Sequence, residues 1–114
     1  MTSNSQPPVP GKLKELLTDY PELIARIQDA LSYSADKSRR SPFAPFEDAV
    51  SVLQGEFDAM LSDARKEVAR AEAGDDATVI ATAKQKEALV AKARYKGNWI
   101  GDEELFDYFK RQFE

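Results

Sequence analysis

Residues 45–64 read PFEDAVSVLQGEFDAMLSDA, and this stretch decides the fold. Phe46, Val50, Leu53, Phe57, Met60 and Ala64 follow one another at spacings of 4, 3, 4, 3 and 4. That is the heptad-type seam of a helix with one apolar stripe. It continues more weakly through Val68 and Ala71, which predicts a helix over 45–73. Pro45 suits the first helical position, and Glu47 and Asp48 complement the positive end of the helix dipole. Gly55 interrupts the stripe at a cost of up to ~1 kcal/mol relative to alanine.

Working outward, Gly74-Asp75-Asp76 supplies a stop and a start. Glycine fits the left-handed position after a helix, and an aspartate can cap the next one. An alanine-rich helix follows over 77–96, and its small residues permit close approach of a neighbour. Residues 47–77 hold nine acids and three bases, whereas 78–98 hold one acid and five bases. Two adjacent helices of opposite charge make a long antiparallel hairpin. A final helix is predicted over 102–113, with acids in its first turn and Lys110 and Arg111 in its last.

Before the hairpin, residues 1–10 form a disordered or extended lead rich in Ser, Asn, Gln and Pro. Leu13, Leu16, Leu17 and Tyr20 mark a short first helix. Pro21 starts a second, which buries Leu23, Ile24, Ile27 and Leu31 and fades between Tyr33 and Lys37. Residues 34–42, SADKSRRSP, are read as a polar, basic connection, and the Ser41-Pro42 within it as linker rather than a kinase target. The fold class is therefore all-α, a single-domain bundle of four to five helices over 11–114. The expected core is Leu16, Leu17, Ile24, Ile27, Leu31, Phe46, Val50, Leu53, Phe57, Leu105, Phe106 and Phe109.

Composition narrows the chemistry. In 114 residues there is no cysteine and no histidine. Disulfides, thiolate metal sites and Ser-His or Cys-His nucleophiles are excluded within the chain. The net charge of −4 opposes nucleic acid and anionic membranes overall. No apolar run suits a membrane span, and the first residues lack the apolar core of a signal peptide. A cytoplasmic location is the expectation.

Three function classes remain. The first is a non-enzymatic protein-binding module, of the small acidic inhibitor, immunity or adaptor type, with no cofactor and no metal. Six of the eleven aromatics lie in the last twenty-one residues. Tyr95, Trp99 and Tyr108 are the expected exposed anchors, with Asp102, Glu103 and Asp107 steering an unidentified protein partner. The seam over 46–71 offers a homodimer face. The second is a nucleic-acid accessory protein using Lys84, Lys86, Lys92, Arg94 and Lys96. Those cations do not share one helical face, and pairing with the acidic helix accounts for them more simply. A helix-turn-helix at Tyr20-Pro21 lacks the usual turn. The third is an all-α Mg-dependent nucleotide hydrolase. Glu104-Leu-Phe-Asp107 resembles one carboxylate pair of the small helical nucleotide pyrophosphatases, and Asp63 and Glu67 share a face at i, i+4. A single pair recurs by chance in acidic helices, so no enzymatic activity is expected.

Overall fold

The computed structural model describes residues 6–41, 43–95, 97, 99, 101 and 103–113. All regular structure among them is helical: α1 (Gly11–Leu16), α2 (Pro21–Arg40), α3 (Pro45–Gly74), α4 (Ala77–Arg94) and α5 (Glu103–Phe113). The molecule measures 53 × 28 × 23 Å. Helices α2, α3 and α4 pack side by side, α5 lies on α3, and α1 touches α4. This is the all-α bundle with a long hairpin that the seam at 45–64 predicts.

The seam is consumed inside the protomer. Leu53, Phe57, Met60 and Ala64 are buried, with Phe46 and Val50 half-buried at its start. A homodimer through residues 46–71 would therefore have to form on the polar face of α3. Leu13, Leu17, Leu23, Ile27, Leu31 and Val90 complete the centre of the core.

Two parts of the N-terminal half differ from expectation. Residues 34–40 are helical, not a connection, so α2 runs twenty residues to Arg40. Polarity misleads here because Ser34, Ala35 and Ser38 face the core as small residues. The Ser34 hydroxyl donates to the Asp48 carboxylate at 2.7 Å, which satisfies it without water. In the lead, Val9 is buried and the Pro7 carbonyl accepts from Gln28 Nε2 at 2.8 Å, so 7–10 is packed chain. Ala44, just before α3, is left-handed at φ 46°, a conformation that costs a non-glycine residue on the order of 1–2 kcal/mol.

The hairpin turn also shifts by one residue. Gly74 is the last residue of α3, and Asp75 takes the left-handed position at φ 67°. The Asp76 side chain then caps α4 by accepting from the backbone N–H groups of Thr78 and Val79. Four ion pairs cross between the hairpin's arms: Arg94–Asp58 at 2.6 Å, Lys86–Glu67 at 3.2 Å, Arg65–Glu87 at 3.6 Å and Lys84–Glu72 at 3.7 Å.

The arms are unequally enclosed. Near Pro45, in the half called the base below, α2, α4 and α5 surround α3. Toward Asp75, the tip, α1 and α2 have ended. Of residues 65–89, only Ala71 is buried.

Candidate functional site at the aromatic corner

The C-terminal aromatics separate into a buried set and an exposed set. After α4 ends, the Tyr95 ring folds against Gly97, where a Cβ would lie 2.4 Å from the Tyr95 ring. A side chain at 97 would displace this ring, which is 70% exposed and free to move outward. The chain then drives Trp99 into the core, 2% exposed, with its ring centroid 5.9 Å from that of Phe57. Its Nε1 finds no acceptor among the described residues, so burial here is apolar in character and leaves one donor unmet.

Helix α5 buries Leu105, Tyr108 and Phe109, with Phe113 half-buried. These positions, i, i+3, i+4 and i+8, form its inward stripe. Tyr108 keeps a polar handle: Arg39 donates to its hydroxyl at 2.9 Å. Burial pushes the Tyr108 hydroxyl above its ordinary pKa, although the Arg39 charge pulls the other way. Two expectations are thus corrected. Trp99 and Tyr108 are core residues, not exposed anchors, and Phe106 is 47% exposed rather than core. The stripe through Tyr108 was open to sequence reading, but the choice between it and the stripe through Phe106 depends on where α3 presents Phe46.

Phe46 is the hinge of the exposed set. Its ring meets Phe106 edge-to-face at 5.2 Å and Phe109 at 6.4 Å. Phe109 in turn stacks on Phe113 at 5.8 Å. Three residues before Phe46, in the α2–α3 link, Phe43 is 87% exposed. The corner therefore grades from buried Phe109 through half-buried Phe46 to exposed Phe106, and Phe43 is exposed in the link that leads into Phe46. Glu47, Glu103 and Asp107 are exposed beside it. Of the expected binding set, Glu103 and Asp107 belong to this corner. Tyr95 is exposed near Trp99, and Asp102 lies outside the described residues.

Three of the basic residues expected to face nucleic acid are engaged across the hairpin. Lys84, Lys86 and Arg94 each pair with a carboxylate of α3. Lys86 also reaches Glu22 at 3.7 Å and sits over the Tyr20 ring. Lys92 is exposed, and Lys96 lies outside the described residues.

The carboxylates of α3 serve structure in the same way. Arg26 holds Glu56 at 2.7 Å and Asp63 at 3.1 Å, tying α2 to α3. Partial burial opposes the Arg26 charge, yet the two carboxylates raise its pKa overall. Glu67 is engaged by Lys86, while Glu104 and Asp107 lie on the exposed face of α5. Among the described residues no three acids converge on a point that would hold a cation, and no helix is long and apolar enough to cross a membrane. Compared with protein-family models, with curated proteins and with solved structures, the chain matches none of them.

Proposed function

We propose that this chain is a non-enzymatic protein-binding module that docks through its aromatic corner. The observation that carries the reading is Phe106, 47% exposed and in edge-to-face contact with Phe46, together with Phe43, 87% exposed three residues before Phe46 in the chain. Phe106, anchored on Phe46, offers apolar area at low ordering cost, and Phe43 in the adjoining link adds a second exposed ring. Burying one such ring contributes roughly 1.5–3 kcal/mol. Glu47, Glu103 and Asp107 make an acidic rim, which favours a partner with an apolar pocket edged by Lys or Arg. An inhibitor, immunity factor or adaptor would use a surface of this kind. The nucleic-acid reading loses support because Lys84, Lys86 and Arg94 are engaged with carboxylates, and the hydrolase reading because Asp63 and Glu67 are bound to Arg26 and Lys86 and no three acids converge among the described residues.

The test places a photocrosslinking phenylalanine analogue at Phe43, at Phe106 and, as control, at exposed Gln54, in cells of the native host. Phe43 and Phe106 are expected to capture the same protein and Gln54 none. Capture should disappear in the Phe43→Ser, Phe106→Ser double variant while its helix content is retained. Adducts that are identical at all three positions, or absent from the corner, would refute the reading.

A further inference from the structure

We infer that the hairpin tip carries a second, independent docking groove, which accepts an acidic amphipathic helix from a partner protein. It lies about 35 Å along α3 from the aromatic corner, at ~1.5 Å per residue. The groove is a cavity of about 640 Å³ whose walls include Tyr20, Ala71, Val79, Thr82 and Ala83. Its floor is apolar, and Val79 is half exposed within it.

The groove exists because the bundle loses a layer there. The first turn of α2 stands opposite Glu67 and Lys86, as the shared contacts of Lys86 with Glu22 and Glu67 show. Helix α3 continues seven residues beyond Glu67, to Gly74, and α4 begins beside that extension. The extension is ~10 Å long, about two helical turns. A docked helix would restore over the tip the third layer that α2 supplies at the base.

Charge selects the occupant. Two cations, Arg70 and Lys86, and one carboxylate, Glu67, line the groove. Lys86 is engaged by Glu67 and Glu22, while Arg70 is exposed and pairs with no carboxylate among the described residues. A guanidinium at the lip of an apolar groove suits a carboxylate flanking leucine-type anchors. Self-pairing of two tips fits less well, since it would set Arg70 toward Arg70 and offer no unengaged carboxylate from the lining.

The probe is a designed amphipathic peptide of about 16 residues, ~24 Å of helix. It bears leucines at i, i+3, i+4 and i+7 and flanking glutamates, and a twin carries lysines instead. Each is titrated into isotope-labelled full-length protein and followed by NMR. The acidic peptide is expected to shift Ala71, Val79 and Ala83 and to leave Phe57 and Trp99 unmoved. Arg70→Glu should weaken it at least about tenfold and favour the lysine twin. Equal binding of both peptides, shifts at Phe43 and Phe106 instead, or no binding would overturn the inference. So would concentration-dependent broadening of the groove signals without peptide, which would assign the surface to a second copy. None of these outcomes bears on the crosslinks at the corner.

Discussion

The base and the tip of the same hairpin are stabilised by different physics. At the base, α3 is enclosed, and Leu53 and Phe57 are fully buried beside Trp99, Leu105 and Phe109. At the tip the same helix has one neighbour, and Ala71 is the only buried residue between Arg65 and Leu89. What holds the tip is high helix propensity, alanine packing and exposed ion pairs, each pair contributing about 0–1 kcal/mol. A sequence can keep a helix regular well past the point where a core encloses it. The surplus length becomes surface.

The strongest way to break this contrast is to remove apolar volume from each half. Phe57→Ala is expected to cost about 3–5 kcal/mol in urea unfolding, and Val79→Ala about 0.5 kcal/mol or less. Comparable losses would mean that the tip is as enclosed as the base.

A smaller effect separates the polar contacts. Burial alone would push the Asp48 carboxyl up, but hydrogen bonds from Lys37 and Ser34, together with the Lys37 charge, hold it below the usual carboxylate value. A depressed folded value stabilises fully above the unfolded carboxylate's pKa of about 3.9 and is lost as pH falls through the lower folded one. Stability should therefore drop from about pH 5 to pH 3 more steeply in the native chain than in Asp48→Asn, which costs about 1 kcal/mol at neutral pH. The more exposed tip pair Lys84–Glu72 should respond to added salt instead. Equal acid slopes in the two proteins would count against the Asp48 assignment.

The smallest effect sharpens the turn. Gly74 is helical and a Cβ there meets open space, as at Gly55. Gly74→Ala and Gly55→Ala should each stabilise by about 0.4–1 kcal/mol in the same urea assay. Destabilisation by the first alone would place the left-handed residue at 74 rather than at Asp75.

These halves also explain what was legible in the sequence. The seam from Phe46 to Ala64 announces the base because large apolar side chains at heptad spacing have no other use. The length of the hairpin follows from composition and charge. Ser34 was illegible as core, since its burial depends on Asp48 arriving from α3, and Ser38 follows one turn later on the same face. Trp99 and Tyr108 looked like surface because an indole or phenol is equally suited to a wet interface, and only the position of Phe57 and Arg39 draws them inward. The aromatic corner was half legible: Glu103 and Asp107 were expected, while Phe106 stands out only once Phe46 is placed against it and Phe43 only once its exposure is known. Arg70 gave no signal at all, because a cation without a carboxylate partner among the described residues is defined by what fails to lie beside it.

The chain's one tryptophan sits in the base against Phe57, so the two optical signals of this protein report on different places. Indole emission follows the enclosed half alone, whereas far-ultraviolet ellipticity sums over both. On heating, the ellipticity should begin to fall while the emission stays blue, as the tip frays ahead of the base. A single melting temperature would then describe neither curve.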